Sequence, residues 1–88
     1  AVLDGPEQGP VAAAARAVAD TIRAAGEVYV LGPAPLHRLR GRWRRALLVR
    51  AERAGPAADA LAIAIEHASE RMRAAGIRVA VDVDPQDT

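Results

Sequence analysis

The chain has no cysteine, no phenylalanine and no lysine, and its 88 residues hold one tryptophan, one tyrosine and one methionine. Each absence excludes something. Without cysteine there is no disulfide framework and no thiolate metal site, a composition compatible with an intracellular setting. No run approaches the roughly eighteen apolar residues of a membrane-spanning helix, and no secretory leader pattern opens the chain. No phosphate loop, dinucleotide fingerprint, nucleophile elbow or zinc spacing occurs, so the segment is expected to catalyse nothing and to carry no cofactor. With so few bulky aromatics the core must be built from small side chains, and 22 alanines supply them. A single domain of this length, residues 1–88, buries about 60–65% of the surface its unfolded chain exposes, which calls for close packing of helix on sheet or for docking onto a larger body. The chain starts inside the apolar run Ala1-Val2-Leu3, without an initiator methionine; it reads as a fragment of a longer protein.

What is present is arginine. Twelve arginines against eleven acids leave a net charge of +1, and that small number conceals a local field. Seven of the arginines fall between Arg38 and Arg53, and no acid interrupts positions 28 to 51. A planar guanidinium takes two anionic oxygens at once, so such a concentration attracts polyanions, phosphate above all. Arg38, Arg40, Arg42, Arg44 and Arg45 are the candidate phosphate ligands. In an extended strand Arg42 and Arg44 project together and Arg45 projects opposite, so about four of the five are expected to reach a ligand. Phosphate contacts position a protein without reading base sequence. The competing reading is a solvated basic strand or a set of ion pairs between domains.

Trp43 has two readings, a platform for an unpaired base or an aromatic that closes the sheet end, and the second weighs more in so alanine-rich a core. His37 in the basic stretch can add charge near pH 6, although an exposed loop histidine is the plainer account. Asp82 and Asp84 share one face of a strand, and ion pairing with the arginine strand suits them better than metal binding.

Two helices carry the same punctuation. Gly9-Pro10 opens one and Gly55-Pro56 the other. Val11, Ala15, Val18, Ile22 and Ala25 recur at helical spacing up to Gly26; Leu61, Ile65, Ala68, Met72 and Ala75 do so up to Gly76. Each glycine sits where a left-handed terminator is wanted. Arg23-Ala24-Ala25-Gly26 and Arg73-Ala74-Ala75-Gly76 lie fifty residues apart, each followed by a strand-like run, which makes a weak internal repeat.

Strands are predicted at Glu27–Leu31, at Trp43–Ala51 and over the alternating run Ile77–Asp84. Val2 and Leu3 read as a truncated first strand, and 32–41 as a Pro-, Gly- and Arg-rich loop between the middle strands. The order is β-α-β-β-α-β, an α+β split βαβ sandwich with two helices on one face of a small sheet.

The segment Gly32-Pro33-Ala34-Pro35, then Arg38-Leu39-Arg40-Gly41-Arg42-Trp43-Arg44, then Val81-Asp82-Val83-Asp84-Pro85-Gln86 resembles the C-terminal domain of the primosomal replication-restart helicase family, PriA (primosomal protein N-prime). The likeness spans nearly the whole chain. It departs at Ala46, where the family often has glutamine, and in a shortened stretch between Pro35 and Arg38. It implies a fold similar to a small-subunit ribosomal protein, a cytoplasmic setting, and an auxiliary DNA-binding role in replication restart. On that reading the domain grips forked or branched DNA while the parent's ATP-dependent helicase chemistry lies elsewhere. Expected partners are DNA, with little sequence specificity, the helicase core of the same protein, and a single-strand DNA-binding protein, with no membrane. The alternatives are a protein-interaction module docking onto that core or onto the single-strand binding protein, and an RNA-binding domain of the same architecture.

Overall fold

The computed structural model describes residues 1–24, 26, 28–50 and 54–81, with Ala54, Pro56 and Ala57 described in their backbone alone. The elements run β1 (Val2–Gly5), α1 (Gln8–Ala24), β2 (Tyr29–Leu39), β3 (Arg42–Arg50), α2 (Ala54–Ala74) and β4 (Arg78–Ala80). They form one four-stranded sheet in the order β2-β3-β1-β4, and every described pairing is antiparallel. β1 and β2 therefore run parallel with β3 between them, and β3 and β4 run parallel with β1 between them. These are two interleaved βαβ halves, which accounts for the internal repeat of helix, glycine and strand.

Both helices pack on one face of the sheet. α1 presents Val11, Ala15, Val18, Ala19 and Ile22, all buried, to Leu3 of β1, Val30 of β2 and Leu47 of β3. α2 adds Leu61, Ala64, Ala68 and Met72 to the same core. No buried polar or charged side chain occurs among the described residues, so this small core contains nothing that needs a compensating partner. α2 ends in a paired terminator: the Gly76 N–H donates to the Arg73 carbonyl at 3.1 Å, and the Ile77 N–H donates to the Met72 carbonyl at 2.8 Å. Met72 and Ile77 are both buried at that corner, so the cap is fastened by packing as well.

The structure corrects the loop expected over 32–41. Residues 32–39 continue β2, and the true connection is the pair Arg40-Gly41, since Leu39 is already opposite Arg42. Both turn residues have positive φ, 52° and 77°, the geometry of a two-residue type I′ hairpin, whose twist suits antiparallel strands and which glycine enters without strain. Proline is tolerated in β2 because β2 is an edge strand, where a missing N–H need not interrupt the ladder. The register shifts between Leu31 and Ala34 and again between Leu36 and Leu39. At the first shift Gly32 has φ 100°, and a Cβ there would sit 2.6 Å from the Ala46 carbonyl oxygen, so this bulge requires glycine. Bulges and prolines also blunt the edge against pairing with other chains.

β4 begins at Arg78 rather than Ile77, and its expected continuation through Asp82 and Asp84 lies outside the described residues. β4 borders β1 and is separated from the arginine strand by it.

Candidate nucleic-acid interface

Directly opposed residues of antiparallel strands point to the same side of the sheet. Leu3, Leu47 and Val30 mark the helix-covered side by their burial. Leu3 is opposite Arg45, and Gly5 is opposite Trp43, so Arg45 and Trp43 belong to that side. Asp4 is opposite Arg44, which places Arg44, and with it Arg42, on the helix-free side. The expected division of the arginines between faces is what the register shows.

On the helix side, Trp43 is half-buried and packs against the core. The Arg38 guanidinium lies over its ring, 4.7 Å from the centroid, a cation–π contact that holds the ring between core and charge. Arg38 itself is exposed on the edge strand, as is His37. Arg40 occupies the exposed tip of the hairpin. Arg44, on the open side, reaches the His37 carbonyl at 3.4 Å.

Arg42 has a different fate. Its Nε donates to the Asp4 carboxylate, and its Nη2 donates to the carbonyls of Asp4 at 3.2 Å and Gly76 at 2.7 Å. Arg78 of β4 approaches the same Asp4 oxygen at 3.1 Å. Asp4 thus bridges three strands, and Arg42 is spent on tying β3 to β1 and to the end of α2. Burial of the Asp4 carboxyl favours its neutral form and is the largest single influence on it. The hydrogen bonds and charges of Arg42 and Arg78 together outweigh that, and hold its pKa below the ordinary value of 3.8.

Among the described residues the ion pairs are Arg23–Asp20, Arg42–Asp4 and Arg78–Asp4. Arg38, Arg40, Arg44, Arg45 and Arg50 meet no carboxylate there. Arg23, in the last turn of α1, also donates to the Gly32 carbonyl at 2.8 Å, which anchors the β2 bulge to the helix. The hairpin therefore carries a set of guanidiniums that no carboxylate among the described residues pairs, placed at its edge, its tip and its open face.

Two features were not singled out from sequence. One is the Asp4 bridge, which joins residues 38 and 74 positions apart and leaves no local signal. The other is an exposed apolar row on the open face: Tyr29 (78% exposed), Leu31 (54%), Leu48 (49%) and Leu39 (55%). Its signal is the strand alternation of Tyr29 and Leu31, which looks the same whichever side is buried. Among the described residues no group of three or more His, Asp or Glu side chains converges as a metal site, and no helix is long and apolar enough to cross a membrane.

Searches of curated proteins and of solved structures found no match. The family described as primosomal protein N C-terminal domain matches residues 1–86 of the 88-residue chain. That span takes in every element of the sheet, both helices and the arginine hairpin. The chain belongs to the primosomal protein N C-terminal domain family, which ties it to the primosome and to replication restart.

Proposed function

We propose that this domain is an auxiliary DNA-binding unit that grips branched DNA at a replication fork through the phosphate backbone, using the β2–β3 hairpin. The observation that carries this reading is the group of arginines on the hairpin, Arg38, Arg40 and Arg44 foremost, that meet no carboxylate among the described residues. Uncompensated guanidiniums on an exposed edge and tip suit a ligand with regularly spaced anionic oxygens. The hairpin lies at the margin of the sheet, so a duplex arm can meet its tip and edge without displacing either helix. Family membership supports a setting in replication restart, and on this reading an accessory grip on the arms of a fork would orient the parent protein's helicase core.

The test is fluorescence anisotropy of the domain with labelled forked, duplex and single-stranded DNA over a salt series. It is run beside a chain carrying Arg38→Ala, Arg40→Ala and Arg44→Ala. Binding that favours the fork, weakens with salt and collapses in the variant supports the grip. Absence of binding at low salt would overturn it in favour of a protein-docking module. Binding tighter to an RNA fork of the same shape than to DNA would favour an RNA-binding role.

A further inference from the structure

The helix-free side of the hairpin carries two files of side chains. Along the edge strand β2 run Tyr29, Leu31, Ala34, Leu36 and Leu39, opposite Arg50, Leu48, Ala46, Arg44 and Arg42 of β3 in that order. The outer file is apolar throughout, with Tyr29, Leu31 and Leu39 each more than half exposed. The inner file is cationic at its two ends. Arg50 and Arg44 meet no carboxylate among the described residues, and Asp4, which faces Arg44 across the strands, is engaged by Arg42 and Arg78.

An apolar file beside a cationic file is poorly matched to duplex DNA, which turns phosphates outward and hides the faces of its bases. It matches a single strand, which offers flat apolar bases along one margin and charged phosphates along the other. From Arg44 to Arg50 is six residues of strand, a span of about 20 Å, long enough for more than one nucleotide. We infer that this open face binds an unpaired nucleic-acid strand, its bases against the β2 file with Tyr29 as the stacking platform and its phosphates at Arg44 and Arg50. The proposal rests on the DNA-binding reading above and adds to it a second surface with a different substrate form. Arg44 and Arg50 serve the phosphates of either form, while the apolar file led by Tyr29 is engaged only by the bases of an unpaired strand.

Tyr29 is well suited to test this, because at 78% exposure it can be replaced without emptying the core. The measurement is anisotropy of a labelled oligothymidylate and of a blunt duplex with the unaltered chain, Tyr29→Phe and Tyr29→Ala, with light scattering on each. Tyr29→Ala is expected to weaken oligothymidylate binding roughly 5- to 150-fold, the range of one base–aromatic stack. Duplex affinity and the salt slope should stay unchanged, and Tyr29→Phe should bind as the original does. Equal loss on both DNAs, or no loss on either, would overturn the single-strand site while leaving the phosphate grip in place. No binding of either DNA by the unaltered chain would remove both readings together. A change of mass in solution for Tyr29→Ala, with oligothymidylate affinity unmoved, would assign the face to self-association and overturn the proposal.

Discussion

The most discriminating expectation concerns which arginines contribute to the salt dependence of DNA binding. Log affinity falls with log salt by about 0.9 per phosphate neutralised on duplex DNA. Of the five hairpin arginines with no ion pair among the described residues, Arg45 lies on the helix-covered side, so the other four, Arg38, Arg40, Arg44 and Arg50, give a slope near −3.6 and a loss of roughly 150-fold between 50 and 200 mM salt. Arg40→Ala, at the exposed tip, should flatten the slope to about −2.7. Arg42→Ala should leave the slope near −3.6, because that guanidinium already spends its charge on Asp4. The substitution should instead cost stability, on the order of 2 kcal/mol, since it removes charge-assisted bonds at a site where both side chains are about three-quarters covered. The converse is more telling. Asp4→Asn removes an acid, frees Arg42 and Arg78, and should steepen the slope by about 0.9 for each arginine that then finds a phosphate. Anisotropy titrations at four or five salt concentrations measure all of this. If Arg42→Ala flattens the slope as much as Arg40→Ala does, Asp4 is not neutralising Arg42 and the division of labour within the cluster is wrong.

Three further outcomes follow from the same geometry. The Asp4 carboxyl has its pKa lowered in the folded state, so its contribution to stability is complete above 3.8 and is lost as pH falls below that toward the folded value; denaturant midpoints from pH 6 down to pH 2 should show this loss, and Asp4→Asn should remove that part of the fall. Gly32→Ala places a Cβ 2.6 Å from the Ala46 carbonyl oxygen at φ 100°, and should destabilise the domain by about 2 kcal/mol or more, read as a shift in thermal midpoint; an unchanged midpoint would mean that the bulge relaxes freely. Trp43 is the sole tryptophan and lies under Arg38, so Arg38→Ala should change its fluorescence without unfolding the chain, and a spectrum that does not move would deny the contact.

The helices were legible because their signals are local. Val11, Ala15, Val18 and Ile22 recur on one face, and all are buried. The terminators at Gly26 and Gly76 adopt the positive φ that their position suggested. β2 was legible only in part, because Gly32, Pro33 and Pro35 read locally as loop residues. Their place in a strand depends on β2 lying at the sheet edge, which is a property of the whole topology. The same limit applies to the arginines. Alternation from Arg42 to Arg45 indicated that they divide between faces, but not which face the helices cover. It also could not show that Asp4, near the other end of the chain, would claim Arg42. Electrostatic neutralisation by a distant residue has no footprint in local composition.

The central position of β1 has a kinetic consequence. Val2 is opposite both Ala46 and Ala80, partners 44 and 78 residues further along the chain, whereas the β2–β3 hairpin closes across two residues. Contacts between distant segments are slow to form because a long loop must close before any of them is rewarded. A two-stranded hairpin alone is marginal in water, so the arginine surface gains its rigidity only when a four-residue strand from one end of the chain slots between β3 and β4. Folding of this domain therefore waits on its least local event, and loosening β1 would slacken the cationic hairpin without touching a single arginine.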